Sequence, residues 1–250
     1  MNKLPKVLNL YKESGETPLE RIKRFKDENL EYQNIKLSYA GRLDPLASGV
    51  LLVVVGEDNK DKEKYLNFDK EYEALVLFGV STDTHDVLGK IKSSKSKVEN
   101  LEEKVRAEIK NFKGKFFQEY PSYSSKTVNG KQLWQWARED KLDEIEMPKK
   151  EVEIYDIQIL EFFELSKEKL HKEIAEKILR VKGDFRQQEI LAEWDKFFAN
   201  SQKIFSIAKI KVACSSGTYI RSLANEIGKK LDIDALALDI KRTKVGEYLI

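Results

Sequence analysis

The sequence predicts an α+β fold, a mixed sheet with helices, spread over residues 1–250 as one large domain. Three observations lead there. Strand-like and helix-like stretches follow one another without the strict alternation that a parallel, doubly wound sheet requires. Hydrophobic residues make up 41% of the chain and charged residues 35%, a balance that suits a globular protein with a charged surface and room for a sizeable core. The block Val50 to Val55 is wholly apolar and of strand length, so it reads as a strand buried on both faces.

The elements follow in order. Val7 to Tyr11 reads as a strand. Thr17 then caps a helix that opens on Pro18 and turns Ile22 and Phe25 inward. Residues 49–55 form the buried strand, and Lys70 to Val80, rich in Tyr, Val, Leu and Phe, forms another. Lys90 to Lys97 is a Ser/Lys-rich loop, followed by an amphipathic helix over residues 98–110. Phe112 to Phe117 reads as a strand, Gly130 to Glu139 as a helix and Val152 to Leu165 as a long strand. Between residues 166 and 203 the pattern changes. Leu170, Ile174 and Ile178 recur at helical spacing, and a second helix spans about Phe185 to Phe198. Strand character returns at Ile204 to Ala213, a helix covers Thr218 to Lys230, and the chain finishes on Val245 to Ile250.

Composition excludes several classes. The net charge of +2 does not announce a nucleic-acid binder, so any basic cleft must come from position. No stretch has the apolar length of a membrane span, and Met1 to Lys6 leads into the first strand without a signal-peptide core. The single Cys214 rules out an internal disulfide framework and suits a reducing cytoplasm, as a small buried residue. With that cysteine and only His85 and His171, no His/Cys metal site is expected.

The segment Gly41-Arg42-Leu43-Asp44-Pro45-Leu46-Ala47-Ser48-Gly49 carries the most chemistry. Pro45 biases Asp44 away from helical geometry, and Gly41 and Gly49 permit tight turns or close backbone approach. One carboxylate is thereby placed on a tight loop against a buried strand. Taken alone, an Asp-Pro pair is more often a turn cap. The segment resembles the catalytic loop of the TruB family of tRNA pseudouridine synthases, G-x-L-D-P-x-A-x-G-V-L.

Three further segments carry the same resemblance. Lys70-Glu71-Tyr72, with Thr82-Asp83-Thr84 beyond it, matches a K-x-Y strand and a T-D-T turn. Pro121 to Lys131 is similar to P-x-Y-S-A-x-K-x-x-G-K, with Ser125 in place of alanine and the lysine one position early, at Lys126. Cys214-Ser215-Ser216-Gly217-Thr218-Tyr219-Ile220-Arg221 is the longest continuous match. Tyr39 stands where the family commonly has a histidine.

The resemblance implies a pseudouridine synthase fold with a central RNA-binding cleft, and isomerisation of uridine 55 in the tRNA T-loop to pseudouridine. It assigns Asp44 as nucleophile and Arg221 as its partner. Tyr72 is assigned to wall the flipped base and assist proton removal from C5. Tyr39, Arg42, Tyr123, Lys126 and Tyr219 are the implied substrate-binding residues. No cofactor or metal is implied, because the reaction is redox-neutral. The partner is the T-arm of tRNA, met by a monomer. Residues 166–203 interrupt the match and are expected to be a helical insertion. There, Lys167, Lys169, Lys172, Lys177, Arg180, Lys182 and Arg186 either meet phosphates or decorate a solvated hairpin. The C-terminal PUA-type domain of many members is expected to be absent. Two alternatives stay open: a non-catalytic tRNA-binding or remodelling protein, and a synthase acting on another RNA.

Overall fold

The computed structural model describes residues 4–95 and 98–250. Met1 to Lys3, at the expected signal-free start, and the last two residues of the 90–97 loop lie outside them. The first half of the chain runs β1 (Val7–Lys12), α1 (Pro18–Glu28), β2 (Leu37–Ala40), β3 (Ser48–Val55), α2 (Lys62–Leu66), β4 (Lys70–Phe78), β5 (Ser81–Thr82), β6 (Ile91–Ser93), α3 (Leu101–Glu108) and β7 (Gly114–Glu119). The second half runs β8 (Thr127–Val128), β9 (Lys131–Gln132), α4 (Leu133–Arg138), β10 (Lys149–Ser166), α5 (Lys167–Arg180), α6 (Gln187–Asn200), β11 (Ile204–Cys214), α7 (Ile220–Lys230), β12 (Ala235–Val245) and β13 (Tyr248–Leu249).

One large sheet takes the order β1-β3-β12-β4-β11-β10-β7. It is mixed: β12 runs antiparallel to β4 but meets β3 in parallel, at Lys241 opposite Ser48 and Arg242 opposite Gly49. On β4, successive side chains alternate between faces, as the pleat demands. Tyr72, Ala74, Val76 and Phe78 pack with α7 and the end of α3, whereas Leu77 packs under α5 and α6. At the β1–β3 end, Leu51 and Val53 face Ile22 of α1, and Leu52 and Val54 face Tyr65 of α2.

The local causes are legible. Thr17 and Glu20 form a reciprocal capping box that starts α1, with Pro18 in its first turn. Ser166 accepts from the Lys169 amide and starts α5. The α5–α6 hairpin is not a solvated decoration. Leu170, Ile174, Ile178, Ile190, Trp194 and Phe198 are buried against the sheet, and each contributes about 1.5–3 kcal/mol by leaving water.

The structure departs from the sequence reading in several places. The 98–110 helix starts at Leu101 and tightens into a 3₁₀ turn over Ile109–Phe112. Part of the 90–97 loop is the short strand β6, paired with β5. The helix expected from Gly130 begins at Leu133, because a small β8–β9 hairpin precedes it. Strands β2 and β12 had no counterpart in the reading. Among the described residues, no helix is long and apolar enough to cross a membrane.

Candidate active site

Asp44 stands on the loop between β2 and β3. The Ala47 amide donates to the Asp44 carbonyl at 3.0 Å, closing a turn with proline in its second position. Gly49 has φ +109°, and a Cβ there would lie 2.1 Å from the Arg242 carbonyl oxygen. Only glycine lets β3 approach β12 this closely. Below the loop, the guanidinium of Arg242 is buried and donates to the carbonyls of Gly41 (3.1 Å), Arg42 (3.3 Å) and Val50 (2.8 Å). Lys12, also buried, donates to the carbonyls of Glu13, Glu16 and Pro45, and burial pushes its ammonium down to about 8. Two buried cations thus hold the loop by its backbone, leaving the Asp44 carboxylate free to act.

Arg221 lies in the first turn of α7. That helix start is fixed by Gln118, which accepts from the Tyr219 amide at 2.8 Å and donates to its carbonyl at 3.1 Å. The Arg221 Nε donates to Asp44 Oδ2 at 2.9 Å, Nη1 to the Thr84 carbonyl and Nη2 to the Tyr123 carbonyl, both at 2.8 Å. Its side chain is 3% exposed against 31% for Asp44. The arginine is therefore a buried fork with a bond from each of its three nitrogens, and the carboxylate keeps a face toward the cleft.

Two hollows meet at Asp44. One, of about 460 Å³, is lined by Tyr39, Arg42, Asp86, Trp134, Arg138 and Arg186 among others. The other, of about 330 Å³, includes Tyr72, and in it Arg42, Lys70, Lys150, Arg221 and Arg242 stand against Asp44. A chain of near-neutral net charge thereby concentrates cations in one cleft.

Residues 28–183 match the N-terminal domain of TruB family pseudouridylate synthases. The chain belongs to the TruB family. It is 32% identical over 242 residues to tRNA pseudouridine synthase B of Borreliella afzelii, spanning 96% of this chain and 70% of that one. It is 31% identical over 244 residues to tRNA pseudouridine synthase B of Clostridium tetani, spanning 98% and 68%. Among solved structures it resembles a chain of a Cbf5–Nop10–Gar1 complex, with a TM-score of 0.58 and 22% identity over 97% of this chain. It spans about half, 49%, of that longer chain, and this likeness is one of fold. The α+β architecture accords with membership of this pseudouridylate synthase family.

In this TruB family chain the structure brings most of the sequence-predicted site residues together. Asp44, Arg42, Tyr123 and Arg221 line both hollows; Tyr39 lines the first, and Tyr72 and Tyr219 the second. Tyr39 accepts from Arg42 Nη2 at 3.2 Å, so these two flank the loop as a pair. Tyr72 is buried, and burial pushes its phenol up to about 12. A phenol raised in this way stays protonated near neutral pH. Lys126 stands apart. It lines neither hollow, and its ammonium sits 5.4 Å from the Tyr120 ring centroid.

The structure adds residues that the sequence reading passed over. Asp86 faces the first hollow, accepts from Thr84 Oγ1 at 2.7 Å and the Leu88 amide at 2.9 Å, and is pushed up to about 6 by burial. Its only sequence signal is its place just after the T-D-T turn. Trp134 and Arg138 line the same hollow from α4. Arg242 and Lys12 gave no signal, because charged residues read as surface until a structure shows what they bond.

Proposed function

We propose that this protein isomerises uridine 55 in the T-loop of tRNA to pseudouridine. Family membership and relatives named tRNA pseudouridine synthase B support the enzyme class and the substrate. The observation that carries the reading is the Asp44–Arg221 pair, a half-exposed carboxylate held at 2.9 Å by a buried guanidinium where two hollows join.

In this reading the target uridine leaves the T-loop stack and enters the hollow walled by Tyr72, whose ring replaces lost stacking. Asp44 is the nucleophile, oriented by Arg221. The N1–C1′ bond breaks, the base turns, C5 bonds to C1′, and the bond that Asp44 formed to the substrate breaks to free its carboxylate. The proton on C5 leaves and N1 takes one up, so the product is an isomer and no electrons are exchanged. Arg42 and Lys150, the cations of the second hollow that are not buried, meet phosphates flanking the flipped nucleotide. A non-catalytic tRNA remodeller would use the cleft without needing a carboxylate held in this way.

The test is a tRNA transcript incubated with wild-type protein and with Asp44→Asn, followed by mapping of pseudouridine. Wild type is expected to convert uridine 55 alone. The variant is expected to bind the transcript and convert none, since an amide is a far poorer nucleophile than a carboxylate. Conversion by Asp44→Asn at the wild-type rate would overturn the mechanism, and modification confined to another RNA or position would overturn the substrate.

A further inference from the structure

The α5–α6 hairpin buries one face in the core, but its tip does something else. It reaches the cleft, where Asp184, Phe185 and Arg186 line the hollow beside Asp44. Arg186 adopts a left-handed backbone conformation with φ +63°, uncommon for a residue with a side chain. Its side chain reaches back across the cleft. The Arg186 Nη1 donates to Asp83 Oδ2 at 3.0 Å, with side-chain exposures of 17% and 11%. The same guanidinium lies 4.5 Å from the Tyr123 ring centroid.

These two partners belong to the segments that hold Arg221. Asp83 precedes Thr84, whose carbonyl accepts from Arg221 Nη1, and Tyr123 supplies the carbonyl that accepts from Nη2. One guanidinium from the hairpin thus clamps both segments, and a second guanidinium, from α7, is aimed at Asp44 by their carbonyls. The tip is tied to the loop a second way. The Lys182 amide donates to the Gly15 carbonyl at 3.2 Å, and the Gly15 amide donates to the Pro45 carbonyl at 2.8 Å. The other cations of the hairpin take no comparable place: Lys177 pairs with Asp239, and Arg180 with Glu176.

We propose that Arg186, at the tip of the α5–α6 hairpin, is a positioning residue that holds Arg221, and through it Asp44, in line for catalysis. This rests on the pseudouridine synthase reading above. It makes residues 166–203 part of the catalytic scaffold, and it gives Arg186 a protein partner where the sequence left phosphate contact and solvated decoration both open.

The experiment measures single-turnover conversion and tRNA binding for wild type, Arg186→Ala, Asp83→Asn and Arg180→Ala, and for Arg186→Ala combined with Arg221→Lys. Arg186→Ala and Asp83→Asn are each expected to lower the conversion rate by roughly 10- to 100-fold, the usual cost of small misplacements. Binding of tRNA should stay unchanged, and Arg180→Ala should match wild type. In the Arg221→Lys background the cost of Arg186→Ala should shrink to about twofold, because the group it positions is already displaced. Asp83→Asn is nearly isosteric and cuts the same pair from the other side, so it decides the question if Arg186→Ala does not fold. A wild-type rate in Arg186→Ala or Asp83→Asn, a loss confined to tRNA binding, or full additivity with Arg221→Lys would each overturn the inference while the proposed function stands. A wild-type protein with no turnover would overturn both.

Discussion

Replacing Arg221 by lysine separates charge from geometry. The guanidinium makes three hydrogen bonds at once, to Asp44 Oδ2 at 2.9 Å and to the carbonyls of Thr84 and Tyr123 at 2.8 Å each. A lysine ammonium is a point donor on a flexible stem and cannot span three acceptors that lie in different directions. In any one rotamer two acceptors lose a charged donor, and such bonds contribute about 1.5–3 kcal/mol each. Water entering from the cleft replaces part of this, so the expected loss of stability is about 2–3 kcal/mol. For turnover the loss that counts is aim. Displacing a reacting group by about 1 Å costs about 100-fold, which is about 2.7 kcal/mol of barrier. Arg221→Lys should therefore lower kcat by about 100-fold and leave the KM for tRNA little changed. Tritium placed at C5 of uridine gives the assay, because C5 loses its hydrogen when it bonds to ribose. A urea melt run in parallel gives the stability. A lysine variant with wild-type kcat would refute the idea that the planar fork holds Asp44.

Two further predictions concern the scaffold. Gly49→Ala adds a methyl group 2.1 Å from the Arg242 carbonyl oxygen at φ +109°, so β3 must part from β12, and we expect a loss of about 4 kcal/mol in a urea melt; an unchanged midpoint would show that the strands have slack. Trp194→Ala removes a side chain that is 1% exposed and leaves the Val87 carbonyl without its 3.1 Å donor. That change is expected to cost about 3–5 kcal/mol, and a loss under about 1 kcal/mol would mean that the hairpin contributes little to the core.

Much of the site was legible because its chemistry is carried by contiguous residues. The Gly41–Gly49 loop and the run ending at Arg221 could be read directly, and both segments border the cleft. Helices α5 and α6 were both expected, the first from Leu170, Ile174 and Ile178 at helical spacing and the second over about Phe185 to Phe198. Strand β12 did not, although it is central. Its second half carries Asp239, Lys241, Arg242 and Lys244, a pattern that reads as surface. Three of these charges are absorbed by neighbouring elements instead: Lys244 pairs with Glu71 of β4, Asp239 with Lys177 of α5, and Arg242 turns inward to the loop carbonyls. Such pairings are long-range, so no local window of sequence contains them. The same holds for Arg186, whose partner Asp83 is 103 residues away.

The place of β12 in the sheet also sets a timetable. It emerges long after β3 and β4 during synthesis, yet it lies between them. Until it arrives, β4 has a bare edge along Lys70 to Phe78, and the Asp44 loop lacks the arginine that gathers its carbonyls. Contacts this distant along the chain form slowly, after the loop-closure entropy has been met. An interrupted chain is consequently not a slow enzyme but an open sheet edge, a template for aggregation. Competence for chemistry arrives only when translation has passed β12.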